Sequence, residues 1–238
     1  LAARRNNWLC AVVLEGAGSS DRGRSGRRWG LAVADVSTGE FRVTEREGSD
    51  ALHQELLQVE AAEVLWPSAD APASPAWCPE ALRLTPLPRT PFEAPEASAT
   101  LKQRFGLASL AGLGLGEAPL ALRAAGGLVT YLDTTFQEAQ VPLDPPTTWH
   151  AGDQLVLDAA TRRNLELTKT QLGGSIHGSL LWALDRTHTA MGGRCLRRWL
   201  LAPLVERAAI LERQGGVSEL VAQRSLRLAI RRLLRPIG

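Results

Sequence analysis

Three cysteines, two lysines and four histidines are all that 238 residues contain, and each shortage narrows the possible chemistry. Cys10, Cys78 and Cys195 are odd in number, widely separated and form no Cys-x-x-Cys pair, so neither a disulfide framework nor a zinc site is indicated and a reducing cytoplasm is the expected setting. The histidines, His53, His150, His177 and His188, stand at no ligand spacing to one another or to the cysteines. The two lysines, Lys102 and Lys169, follow no glycine-rich loop, which removes a Walker A nucleotide site. The glycines of GLGLGEAP, Gly112 to Pro119, lack the G-x-G-x-x-G spacing and read as a loop between two helices. Long apolar runs are missing too: charges such as Glu117 and Arg123 interrupt every stretch before it reaches membrane-spanning length. The opening LAARRNNWLCAVV has a short apolar stretch and no small-residue cleavage site, so no signal peptide is expected.

The length suits two domains, and 45% hydrophobic with 22% charged residues is a globular composition. The net charge of +2 conceals a polarity: residues 1–140 carry 13 basic and 17 acidic side chains, residues 141–238 carry 14 and 8. An Arg-rich module binding duplex DNA is therefore one reading of the C-terminal part.

Asn7 to Glu15 forms a β-rich apolar run, and Arg28 to Glu45 reads as two alternating strands joined at Ser37-Thr38-Gly39. The intervening Ser19 to Arg28 is a basic loop. A helix is predicted over Ser49 to Val59, capped by Ser49 or Asp50, followed by a short strand over Ala62 to Pro67. Eight of the fourteen prolines fall between Trp66 and Ser98, which reads as a surface excursion. Helices follow at Ala97 to Phe105 and Pro119 to Phe136. Strands and then helices make residues 1–140 an α/β domain with a mixed sheet. Beyond VPLDPPTTW, Val141 to Trp149, one short apolar stretch at Gln154 to Leu157 precedes helical periodicity. Helices are expected after an Asp158 cap, over Ser175 to Leu184, from Thr189 to Pro203, over Val205 to Arg213 and over Val217 to Arg235.

LDRTHTAMGGRCLRRWL, Leu184 to Leu200, gathers Asp185, His188 and Cys195. In a helix capped by Thr189, Met191, Cys195 and Trp199 share one stripe and Arg194, Arg197 and Arg198 the other side, so Cys195 is expected in the core rather than reactive. Gly192-Gly193 costs about 1 kcal/mol per glycine relative to alanine, which implies close packing against a neighbouring helix or strand. Asp35, centred in GLAVADVSTGEF, opens the alternative of a ribonuclease H-like, metal-dependent nuclease. It would need Glu40, Glu45, Glu60, Glu63 or Asp133 to complete a two-metal carboxylate cluster.

Five stretches together resemble the bacterial MutS family of DNA mismatch repair proteins: ARRNNW from Ala3, LAVADVSTGEF from Leu31, LGLGEAPLALRAAGGLVTYL from Leu113, LDAATRRNLELT from Leu157 and LDRTHTAMGGRCLRRWLLAPL from Leu184. Within the last two, Asp158, Arg162, Asn164, Asp185, Thr189, Gly192, Gly193, Arg194, Trp199 and Pro203 are the structural signature. Ala190 stands where family members often have proline. The resemblance implies a connector domain over residues 1–140, with a ribonuclease H-like mixed sheet and no nuclease site. The first part of a mainly α-helical core and lever domain would then occupy 141–238. It implies a segment that couples mismatched-DNA binding to a distant ATPase, with no catalytic, nucleotide-binding or metal residue of its own, and that is cytoplasmic and nucleoid-associated. The mismatch-reading domain would precede Leu1 and the clamp and ATPase would follow Gly238, so ATP and Mg²⁺, like contacts to mismatched duplex DNA, belong to the full-length protein, a homodimer. The resemblance also implies a MutL-type partner on the connector, for which Ala99, Thr100 and Gln103 on the helix after the proline-rich excursion are the candidate residues.

Overall fold

The computed structural model describes residues 8–15, 27–68, 75, 77–136, 141–149, 152, 155 and 157–237. The chain divides into two compact units, one of residues 7–150 and one built mainly of 151–238. Most of the basic loop, the motif before Trp8 and part of the 154–157 stretch lie outside the described residues.

The first unit is a mixed six-stranded sheet in the order β5-β4-β1-β2-β3-β6. β1 (Trp8–Leu14), β2 (Arg28–Asp35) and β3 (Phe41–Glu47) are antiparallel neighbours; the Ser37-Thr38-Gly39 turn joins β2 and β3 in the hairpin the sequence predicts, and the apolar run of β1 pairs with β2. β4 (Glu63–Pro67) lies parallel to β1, reached through α1 (Ser49–Val59). β1 and β2 are buried almost throughout because both faces of the sheet are covered. On one face Cys10, Val12, Leu31 and Val33 pack with Leu52 and Leu56 of α1. On the other, Ala11, Ala32 and Val43 pack with Ala124, Leu128 and Leu132 of α3 (Pro119–Thr135). Leu128 and Leu132 are buried to 0% and 2% exposure, each contributing about 1.5–3 kcal/mol of transfer free energy.

Two sequence expectations change here. The proline-rich excursion contains a strand after all: β5 (Arg83–Leu87) pairs in parallel with β4, with Pro86 inside it. An edge strand leaves one side of its backbone without a ladder partner, so a missing N–H is tolerated there. Trp77 and Cys78 from the same excursion are buried, with the Trp77 ring 5.1 Å from that of Trp66. The N-cap of α1 is neither Ser49 nor Asp50 but Gly48, at φ 92°, whose carbonyl accepts from Trp29 Nε1 at 2.8 Å. That positive φ favours glycine, and the indole, rather than a hydroxyl, fixes the turn.

α2 (Ala94–Phe105) packs on α3 at Gly126, and the 3-10 turn before it, Thr90–Phe92, packs at Gly127. A Cβ on Gly126 would lie 2.3 Å from Ala97 Cα, and one on Gly127 would lie 2.2 Å from the Phe92 ring. Between α2 and α3 the glycines of the stretch Gly112 to Pro119 lie in and between two short 3-10 turns, Ala111–Leu113 and Leu115–Glu117.

The second unit is helical: α4 (Ala159–Asn164), α5 (Leu180–Leu184), α6 (Ala190–Leu201), α7 (Arg207–Ala222) and α8 (Arg224–Leu234). Residues 214–216, which separate the two helices expected over Val205–Arg213 and Val217–Arg235, lie inside α7, and the break falls at Gln223. Arg227 Nη1 donates to the Leu220 and Val221 carbonyls at 2.8 and 3.1 Å, satisfying acceptors at the end of α7 that have no helical partner. α5 is also shorter than the predicted Ser175–Leu184, because Ser179 caps it and accepts from the Trp182 amide. Among the described residues no helix is long and apolar enough to cross a membrane.

Candidate functional site

The acids that could build a two-metal site are occupied elsewhere and face different parts of the sheet. Asp35 ends β2, fully buried, and accepts from Ser37 N at 2.9 Å and Ser37 Oγ at 2.5 Å, so its carboxylate shapes the hairpin turn. Glu40 pairs with Arg42 at 3.2 Å, and Asp133 with Arg104 at 2.7 Å. Glu63 accepts from Thr85 Oγ1 and, at 3.4 Å, from the Tyr131 hydroxyl. Burial, with the nearby Glu63 charge second, raises the pKa of that phenol, which keeps its proton. Glu60 occupies the left-handed position that ends α1. Glu45 lies opposite Gly30, five residues along β2 from Asp35, about 17 Å at the rise of an extended strand. Among the described residues no group of three or more His, Cys, Asp or Glu could hold a metal ion. The nuclease alternative centred on Asp35 is not supported.

The arrangement instead makes a rigid block. A Cβ on Gly30 would lie 2.1 Å from the Leu120 carbonyl carbon and 2.3 Å from Ala121 N, so β2 meets the first turn of α3 backbone to backbone. There the Glu45 carboxylate accepts from the Leu120 and Ala121 amides at 2.7 and 3.2 Å, while its other oxygen binds Arg28. A helix start that an acid from a strand caps, at a glycine only a bare backbone can approach, is tied closely to its sheet.

On α2, Ala99 and Gln103 are exposed on the side opposite Ala97 and Leu101, which pack inward, and Thr100 is half-buried at the flank between them. These three residues form one patch, with Lys102 exposed beside them.

In the helical unit, Asp158 caps α4, accepting from the Thr161 amide at 2.6 Å; that bond holds its carboxyl below the ordinary Asp value. Asn164 accepts from Gln171 Nε2 at 3.1 Å, and Arg162 is half-buried. Asp185 accepts from Thr187 N and Oγ1 at 2.9 and 2.6 Å, setting the turn before α6. Thr189 caps α6 by accepting from Gly192 N at 2.9 Å. The Pro203 carbonyl accepts from the Leu155 amide at 2.7 Å.

The phase predicted for α6 is reversed. Met191 and Trp199 are exposed and Cys195 is half-buried, whereas Arg194 and Arg197 are 8% and 4% exposed. Arginine buries its long apolar stem readily when its guanidinium is partnered, and Trp199 is covered by the Arg213 guanidinium, 3.8 Å from its ring, rather than by the core. Gly193 is buried within α6, but the close neighbour of Gly192 is the preceding turn, not another helix: a Cβ there would meet Thr189 Oγ1 at 3.0 Å and Thr187 Cβ at 3.3 Å. Two arginines of α8 are engaged within the helical unit. Arg227 caps α7, and Arg231 Nε donates to His188 Nε2 at 2.8 Å.

A mixed sheet with helices on both faces, followed by a mainly helical unit, both stabilised by caps and close backbone contacts, defines the class: an α/β domain joined to a helical segment. The model of MutS domain II matches residues 7–144 and that of MutS domain III residues 160–238. Across its whole length the chain is 61% identical to the DNA mismatch repair protein MutS of Synechococcus sp. strain CC9605 and 61% to that of strain WH7803. It is 47% identical to the MutS of Prochlorococcus marinus strain SARG. The chain belongs to the MutS family of DNA mismatch repair proteins, and it spans about a quarter of the length of the relatives it matches, 26% in the first two.

Proposed function

We propose that this chain is the coupling segment of a DNA mismatch repair protein, passing strain between a mismatched-DNA site and a distant ATPase that lie in other parts of the full-length molecule. The observation that carries the reading is the interlock of Gly30, Glu45 and the Leu120–Ala121 backbone, which makes sheet and helix a single lever arm. A displacement applied to such a block reappears at its far side instead of being absorbed. ATP and Mg²⁺ are then requirements of the full-length protein, which acts as a homodimer, nucleoid-associated in the cytoplasm. The exposed patch at Ala99, Thr100 and Gln103 is the docking candidate for a MutL-type repair partner.

Both parts are testable in the full-length mismatch repair protein. A flexible Gly/Ser insertion at Gly152, between the two units, should leave mismatch binding and basal ATP hydrolysis intact while removing the effect of mismatched DNA on nucleotide turnover. Unchanged mismatch dependence would rule out mechanical coupling through this segment. For docking, Gln103→Cys carrying a photoreactive group should cross-link to purified MutL in the presence of mismatched DNA; a cross-link as weak as that from a cysteine on the opposite face of the sheet would count against the patch.

A further inference from the structure

The last stretch of the first unit is a strap, and one guanidinium locks its end. Residues 141–149 run along the open side of β3. Val141 is anchored in the core and its carbonyl accepts from Arg104 Nη2; Asp144 N donates to Gly39 O at 2.8 Å; Trp149 N donates to Val43 O at 3.0 Å. Between these points the pairing is thin. β6 (Thr147–Thr148) has two residues, and Pro142, Pro145 and Pro146 have no N–H to donate. Two threonine hydroxyls add bonds, Thr147 Oγ1 to Phe41 O at 3.4 Å and Thr148 Oγ1 to Leu113 O at 3.0 Å.

The Trp149 indole closes the far end. Arg42 on β3 sits with its guanidinium carbon 5.1 Å from the centre of the Trp8 ring and 5.2 Å from that of Trp149, so two aromatic faces share one cation, whose charge Glu40 balances at 3.2 Å. Trp8 belongs to the central strand β1 and is buried, whereas Trp149 is only half-buried. One side of this stack is therefore fixed and the other is the end of a weakly paired strap. Beyond it the chain passes into the helical unit.

We propose that the Trp8–Arg42–Trp149 stack is a releasable lock, and that opening it lets residues 147–149 peel from β3 while the sheet stays folded, lengthening the tether to the helical unit. The use of such a tether in transmitting strain rests on the coupling role proposed above; its existence does not. Peeling at this end sacrifices few bonds, whereas loosening β3 from β2 would break a seven-residue ladder and expose a buried face.

Native-state amide exchange on the 238-residue chain tests it. Arg42→Lys keeps a charge facing Glu40 but loses the flat guanidinium, and Arg42→Met keeps only bulk; Trp149→Ala removes the strap's half of the stack together with its packing on the α1 side of the core. In all three, exchange at the amide of position 149, taken relative to its intrinsic rate, should be about tenfold faster than in the parent chain, with little change at Val33 in β2. Asp144, held at the other end of the strap, should change less. No acceleration at position 149 in the three variants would overturn the lock. So would equal acceleration across β1 to β3, since the stack would then be general sheet stability and not a local release point.

Discussion

Glu45 and Leu120 are 75 residues apart, and the carboxylate of the first accepts the amide of the second at 2.7 Å. This bond gives α3 the N-terminal acceptor its own sequence does not provide: the residue before the helix is Ala118, with no side-chain cap. The buried carboxylate faces the positive end of the helix and satisfies two of its unpaired N–H groups. Glu45→Gln should lower stability by about 1 kcal/mol, keeping an acceptor but losing the charge, and Glu45→Ala by about 2–3 kcal/mol, because buried amides are left without a partner. Urea unfolding of both variants checks the order; equal stability of Glu45→Ala and the parent chain would show that the bond contributes nothing.

Gly30 carries the second prediction. Its virtual Cβ falls 2.1 Å from backbone that cannot swing aside as a side chain would. Gly30→Ala should cost at least ~3 kcal/mol or abolish cooperative unfolding, since β2 must part from α3. Gly116→Ala is the control: nothing lies within 4 Å of that position, so the change should be neutral or stabilising by about 0.5 kcal/mol. Calorimetry of the pair checks this; similar melting temperatures for both variants would refute the close-approach argument.

Much of the fold was legible because its signals are local. The apolar run of Trp8–Leu14, the alternation read over Arg28–Glu45, the turn at Gly39 and the stripe of Leu120, Ala124, Leu128 and Leu132 each announce an element from its own residues. Signals that depend on a distant partner were hidden. Pro86 argues against a strand unless the strand is known to lie at the edge, and Gly48 caps α1 only because Trp29 reaches its carbonyl. α6 shows the same limit on its faces. Helical periodicity correctly separates Met191, Cys195 and Trp199 from the arginines, yet it does not say which face has something to pack against. Asp35, an acid on a strand followed by a turn and a second strand, opens a nuclease reading, and only strand register shows Glu45 far along the sheet from it.

Asp158 gives a pH dependence with a definite sign. The Thr161 amide holds its pKa below the ordinary value of 3.8, so the charged cap favours the folded helix. That contribution is complete above the unfolded value and is lost as pH falls through the lower, folded one. The Thr161 amide should therefore stay protected at neutral pH and lose protection only at pH values below ~4. In Asp158→Asn, which keeps an acceptor that does not titrate, the acid step at Thr161 should vanish. A step that persists in the asparagine variant would assign it to another group.

The glycines of the helical unit divide into two kinds, and alanine separates them. Gly215 and Gly216 lie inside α7 with open space around them, so each carries only the conformational cost of glycine in a helix. Gly215→Ala and Gly216→Ala should each stabilise the chain by up to ~1 kcal/mol. Gly192 also lies in a helix, but alanine there would crowd the Thr189 hydroxyl that caps α6 and the Thr187 side chain behind it. The gain in helix propensity is then opposed by a weakened cap, which alone is worth about 1 kcal/mol, so Gly192→Ala should be neutral or destabilising. Thr189→Ala removes the hydroxyl and with it the nearest obstacle. If crowding is the cause, adding Gly192→Ala on the Thr189→Ala background should recover most of the propensity gain, a non-additivity that a double-mutant cycle in urea measures directly. Strictly additive effects would mean that Gly192 is glycine for a reason other than its contact with Thr189.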